Sequence, residues 1–281
     1  MASFRRQDIL SLCHLRNDGR KQNEIRRISI NMNPISSGSV SGACLFQMGL
    51  TRVLACVCGP MECARRSDER NDRANLSVTV KSSPFSSTNR QTKSQSNKQL
   101  LEIANDIQNA FSAAILLHLY PRAAIYVNVH ILADDGGTLE CAINATSLAL
   151  INAGVSLKDL VCACSSGLLS DGTMTLVDVN KQEAFDSNVY KMSVATMPQR
   201  GSVILTKLSS RFSLKELERV LESATTGCRA VCDIMAQIIR EHHALLVAAR
   251  MGNVNVSCNA LTEAAGENGG HENEVDAMVL S

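Results

Sequence analysis

AAIYVNVHILADDGGTLECAINATSLALINAG, residues 123–154, changes its hydrophobic period partway along. AIYVNVHIL alternates as a β-strand does. From Thr138 the apolar positions Leu139, Ala142, Ile143 and Ala149 fall on one side of a helix, and Gly154 stands just past its end as a C-terminal stop. Between strand and helix lie Asp134, Asp135, Gly136 and Gly137. A glycine turn that opens a helix aims backbone amides out of the positive end of the helix dipole, which makes Gly136, Gly137 and Thr138 a seat for an anion. Helix capping by Asp135, with the glycines shaping the turn, would account for the same residues without any ligand.

Upstream, a polar lead-in over residues 1–15 runs into RNDGR at 16–20. EIRRISINM and SVSGACLFQMGLTRVLACVCGP then alternate as antiparallel strands turning at Gly49. ANLSVTVKSSPF adds a strand through Leu76, Val78 and Val80, and a Ser-, Thr-, Gln- and Asn-rich loop follows to Lys98. Leu100, Ile103, Ile107, Ala110, Phe111, Ala114 and Ile115 trace one helix face that ends at Pro121. Downstream, LVCACSSGLLSDGTMTLVDVN, YKMSVATMP and GSVILTKL predict strands, punctuated by Asp171-Gly172 and Gly201. SLKE places Ser213 and Glu216 as a capping box ahead of Leu214, Leu217, Leu221 and Val231. Beyond residue 255 the chain is Gly-, Asn- and Glu-rich without period, so 256–281 is expected to be a disordered acidic tail. This order of elements implies an α+β fold, mixed sheets with packed helices, in one domain over 16–255.

Composition narrows the function classes. The chain has 281 residues, 45% hydrophobic, enough for a substantial core. It shows no run of eighteen apolar residues and no secretory signal, which argues against a membrane role. The 11 cysteines are an odd number in a long chain and lack C-x2-C repeats, so they read as reduced thiols, and no metal site is expected. Cys56/Cys58 and Cys162/Cys164 share strand faces as small core residues. With net charge +1 and no tryptophan, any RNA contact must come from a local stripe. Arg73, Lys81, Arg90, Lys93 and Lys98 form one such stripe without an intervening acid, and a solvated loop would have the same composition.

Several separated stretches, RNDGR, MGLTRVLACVCGP, SSPFSS, LYPRAAIYVNVHILADDGGT, INAGVSLKDLVCACSSG and SDGTMTLVDVN, stand in the order and spacing of the RNase PH family. The chain resembles that family over residues 16–250, and DLVCACSSG narrows the resemblance to exosome ring subunits of the ribosomal RNA processing protein forty-one type. The resemblance implies an RNase PH-like two-layer fold, related to the second domain of ribosomal protein S5. It also implies a hexameric ring with RNase PH-like paralogues around an RNA channel, topped by S1/KH cap subunits and feeding a separate hydrolytic 3′–5′ nuclease. The implied compartments are nucleus, with nucleolus, and cytoplasm.

The same resemblance supplies a test of the site. Phosphorolysis requires bound phosphate, cations beside it, and an acid for the leaving 3′ oxygen. Where active members carry arginine after the small hydroxyl residue of the turn, this chain has Leu139. Their Arg-Arg pair corresponds to Lys98 and Gln99, and lysine lacks the bidentate fork of arginine. Of their two aspartates, Asp178 is kept and the second position holds Ala184, with Glu183 and Asp186 nearby as substitutes. Lys98, Gly136, Gly137, Thr138 and Asp178 thus read as a remnant site. Losing one charge-stabilising donor lowers turnover by about a hundredfold to a thousandfold. The expected function is a noncatalytic exosome ring subunit that scaffolds the hexamer and guides RNA for 3′–5′ processing and decay. Arg65, Arg66, Arg70 and Arg73, with Arg90, Lys93 and Lys98, are the RNA-contact candidates, although Arg70 and Arg73 have Asp68, Glu69 and Asp72 close by as surface partners. The alternative is an active phosphorolytic 3′–5′ exoribonuclease that releases nucleoside diphosphates, with phosphate as co-substrate and no other cofactor. A free-standing RNase PH that trims transfer RNA is a third reading, disfavoured by CACSSG.

Overall fold

Alternation in the N-terminal half produces an antiparallel meander. β1 (Ile28–Met32), β2 (Gly42–Met48) and β3 (Thr51–Glu62) pair in sequence, with Gly49 at positive φ in the tight turn between β2 and β3. The computed structural model describes residues 15–35, 38–63, 65, 69–87, 93–169, 174–185, 189–208, 210–250 and 273–275; for 93–97, 185, 249–250 and 273–275 it describes the backbone alone. β4 (Asn75–Ser82) does not extend the meander. The helix α1 (Lys93–Ala114) carries the chain over to β5 (Ala123–Ala133), which inserts between β3 and β4, antiparallel to the first and parallel to the second.

The second sheet comprises β6 (Cys162–Leu169), β7 (Thr175–Val177), β8 (Val189–Met197) and β9 (Ser202–Leu208) in the order β7-β6-β8-β9, with the short helix α3 (Lys181–Phe185) between β7 and β8. The helix α2 (Thr138–Asn152) packs on β2 and β3 of the first sheet and also on β6 of the second. It is therefore buried continuously from Leu139 to Leu150, where the sequence pattern predicted a single inward face. Its polar residues Asn144 and Ser147 are satisfied by the β6 segment, Asn144 exchanging bonds with Ala163 and Ser147 donating to the Val161 carbonyl. One continuous core holds residues of both sheets, from Ile28 and Phe46 to Cys164 and Ala195.

α4 (Leu214–Arg250) covers β6 and β8. Glu216 reaches back to the Ser213 amide at 2.8 Å, as its capping box requires. Leu214, in the first turn, is exposed. Most of the tail lies outside the described residues. Asn273–Val275, however, forms a strand, β10, antiparallel to β1, whose outer edge otherwise presents unpaired backbone groups.

Gly42 fixes how closely α2 approaches the first sheet. A Cβ there would lie 2.3 Å from the Ala153 nitrogen and 2.5 Å from the Ala149 carbonyl oxygen, both backbone atoms that cannot swing aside. Gly42→Ala is expected to cost about 1–3 kcal/mol through this overpacking, read as a lower midpoint in chemical denaturation.

Candidate functional site: a seat whose cations are already engaged

The turn after β5 has the shape the sequence implied. Gly136 and Gly137 both have positive φ, and Gly137 is the N-cap of α2 in the left-handed region, with no side-chain cap. Capping by Asp135 is thereby ruled out. Asp134 instead accepts from the Gly136 amide at 3.1 Å, and Thr51 brackets the turn, accepting from the Asp135 amide and donating to the Gly136 carbonyl. α3 docks against the turn from outside, its Lys181 amide donating to the Asp135 carbonyl at 3.0 Å.

Among the described residues, two cations contact this turn, and both are engaged within the fold. Arg26 lies beneath it, Nη2 being 2.7 Å from where a Gly137 Cβ would stand. A guanidinium has five N–H donors. Those of Arg26 go to both Asp178 carboxylate oxygens at 2.8 Å, to the carbonyls of Asp135 and Gly136, and to Thr51 at the longer distance of 3.5 Å. Lys181 has three donors, directed to Ser87 Oγ and to the carbonyl and carboxylate of Asp134.

Negative groups complete the surroundings. Glu140, in the first turn of α2, is buried and contacts Ser193 and Lys191 through Oε1, while Oε2 has no hydrogen-bond partner and lies 3.6 Å from the same Gly137 position. Burial first, with help from the Asp18 and Asp134 charges, pushes the Asp135 carboxyl above its ordinary value against the pull of Arg26 and Lys181. An incoming phosphate would join carboxylates rather than uncommitted cations.

Asp178, the acid of the expected remnant site, is held inside the fold. It is fully buried, has a left-handed backbone at φ 56°, and accepts from the Arg26 amide, Nε and Nη2, with Arg20 3.5 Å away. Burial alone would raise its carboxyl. The Arg26 charge and hydrogen bonds, with the Arg20 charge, reverse that and hold it at about 2. Such a group stays ionised at neutral pH and has no proton for a leaving oxygen. Glu183, the candidate substitute, is likewise taken: Arg16 grips it, and it accepts from the Asn180 amide at 2.9 Å. Ala184 is exposed, and Asp186 lies outside the described residues. Leu139 joins the core and Lys98 stands exposed on α1.

Of the RNA candidates, three group along β5: Ala123 pairs with Glu62 and Ala124 with Asn75, so Arg65, Arg70 and Arg73 flank the start of the strand. The glycine turn follows the other end of its eleven residues, roughly 35 Å away. Arg66 and Arg90 lie outside the described residues. Glu69 faces Arg122 at 3.7 Å, and among the described residues neither Arg70 nor Arg73 has an ion-pair partner.

Sequence reasoning missed Arg16, Arg20, Arg26, Glu140 and Lys181. RNDGR followed by EIRR offered a signal, four arginines against two acids on the way into a strand, but their distant partners were invisible. Asp178→Asn should destabilise the fold by about 3–5 kcal/mol by leaving buried guanidinium charge unmatched, as measured by denaturant unfolding. Because the folded carboxyl sits at about 2 against 3.8 ordinarily, its contribution is present above about pH 4 and is lost as pH falls toward 2. That loss is about 2 kcal/mol, and acid titration of the Asn variant should show a correspondingly flatter fall.

Residues 24–156 match the model of the 3′ exoribonuclease family, domain 1 (RNase PH). The exosome complex component RRP41 of Mus musculus is 34% identical over 236 residues, covering 84% of this chain and 94% of that protein. Rrp46 of rice (Oryza sativa) superposes with a TM-score of 0.68 at 27% identity, over 79% of this chain and 98% of the other. The Archaeoglobus fulgidus exosome with RNA bound to the active site shares the fold, with a TM-score of 0.65 at 22% identity over 79% and 92% of the two chains. This chain therefore belongs to the RNase PH family of 3′ exoribonucleases, in the company of RRP41-type exosome components.

Proposed function

We propose that the chain is a noncatalytic ring subunit of an RNA exosome, assembled with RNase PH-like paralogues in a six-membered ring and guiding RNA toward 3′–5′ processing and degradation. The observation that carries the noncatalytic reading is the engagement of Arg26 and Lys181: every donor of the two cations at the seat is directed to a partner inside the fold. The unpartnered Glu140 oxygen adds repulsion, and Leu139 lies in the core where a phosphate-binding arginine would stand. The likeness to RRP41 supports ring membership. In this reading S1/KH cap proteins and a hydrolytic nuclease complete the particle, which serves nucleus, nucleolus and cytoplasm.

RNA guidance rests on Arg65, Arg70 and Arg73, exposed side chains at the start of β5, well away from the seat. Backbone-phosphate contacts by such arginines tolerate any sequence and weaken with salt. Lys98, exposed on α1, is a further candidate contact.

Incubating the assembled ring with RNA and inorganic phosphate should release no nucleoside diphosphates above a phosphate-free control. Their phosphate-dependent release would overturn the noncatalytic reading. For the conduit, the triple variant Arg65→Glu/Arg70→Glu/Arg73→Glu should bind single-stranded RNA more weakly in the ring. The slope of log affinity against log salt should become shallower by about 0.7 for each RNA phosphate that is no longer neutralised. An unchanged slope would remove these arginines from the RNA path.

A further inference from the structure

The function proposed above makes no use of the C-terminal strand β10, which ends the first sheet by pairing with β1. Backbone geometry shows which groups that pairing covers. The Gly49 amide donates to the Arg27 carbonyl and the Asn33 amide to the Ala43 carbonyl, so Arg27 and Asn33 face β2, and Ser29 and Asn31 between them do the same. Direction alternates at each residue of such a pair, so Ile28, Ile30 and Met32 turn their amides and carbonyls toward the outer edge. β10 sets Val275 opposite Ile28 and Asn273 opposite Ile30, and its described residues stop short of Met32. Residues 251–272 separate this three-residue strand from the end of α4, so its hold on the edge is that of a tethered peptide, set by few bonds and by its effective concentration. Its charge also suits the place. Glu272, Glu274 and Asp276 make the segment acidic, Arg27 precedes β1, and the register puts Glu274 opposite Ser29, two residues along the same face from Arg27.

We propose that the outer edge of β1 is a docking site for a short acidic peptide in extended form, and that residues 273–275 fill it as a tethered, exchangeable strand. A strand added in this way draws its affinity from main-chain hydrogen bonds and, here, its preference from charge. While the C-terminal segment holds the edge, strand addition by another chain is blocked. When it leaves, an acidic segment of a partner protein takes the same antiparallel register on Ile28 and Ile30.

The test is residue-resolved amide hydrogen exchange on the purified full-length chain. The double variant Asn273→Pro/Val275→Pro removes both amides that β10 offers to β1. Exchange at Ile28 and Ile30 should then accelerate by about tenfold or more, while Ser29 and Asn31, bonded to β2, stay slow and report an intact fold. Glu274→Pro removes only an amide that points away from β1, so it should leave most of the protection in place. Adding a synthetic peptide of residues 271–278 to the double variant should restore slow exchange at Ile28 and Ile30. The same peptide carrying Glu272→Lys, Glu274→Lys and Asp276→Lys should not. Equal exchange at Ile28 and Ile30 in the unsubstituted chain and the double variant would overturn the tethered strand, and equal restoration by both peptides, or by neither, would overturn the acidic docking site.

Discussion

Burying the Asp178 carboxylate completely, where the end of β7 meets the entry to β1, requires counter-charge, and the chain provides it with Arg26 and Arg20 from the segment leading into the first sheet. Arg16 adds a second buried pair with Glu183 and donates to the Val177 and Asp178 carbonyls. The Val177 amide donates to the Gln22 carbonyl, so residues 16–26 lie along the segment from β7 to α3 as an ionic clasp between the sheets. A buried ion pair adds little net stability compared with a well-packed apolar substitute, but removing one partner is severe. The clasp therefore acts chiefly as a constraint: it specifies which segments meet and in what register.

The same clasp determines what the α2 N-terminus can do. Arg26 reaches from Asp178 to the carbonyls of Asp135 and Gly136, so it shapes the glycine turn from below while its donors point away from any ligand above. Lys181 does the equivalent from the side through Asp134. The backbone geometry of an anion seat persists because it is held by these internal bonds and by Thr51. Among the described residues, those bonds direct every donor of Arg26 and Lys181 into the fold. Shape and charge have separated: the turn keeps a form suited to phosphate while Glu140, Asp134 and Asp135 make its field unfavourable.

How far the sequence could be read follows from the range of the forces involved. The strands of the meander, α1, the glycine turn and the start of α4 were legible because alternation, helical period and caps are local. The apolar character of Leu139 was legible too, and it joins the core. The surroundings of Asp178 were not legible: its partners Arg20 and Arg26 lie more than 150 residues earlier, and nothing in LVDVN distinguishes a carboxylate that meets solvent from one enclosed by guanidinium groups. The burial of α2 on all sides escaped the reading for a similar reason, since small and apolar residues dominate it and only the second sheet shows where its remaining face packs.

By itself, then, the sequence determined the family, the order of strands and helices and the glycine-built entrance to α2, all properties carried by residue type and short spacing. Only the tertiary structure decided that Asp178 and Glu183 are held within the fold, that the donors of Arg26 and Lys181 are all directed to partners within it, and that Arg65, Arg70 and Arg73 flank the start of β5. The physical reason is that hydrogen-bond donors and counter-charges are counted in space: which acid a guanidinium meets depends on segments far apart in the chain being packed against one another, and no local pattern records that pairing.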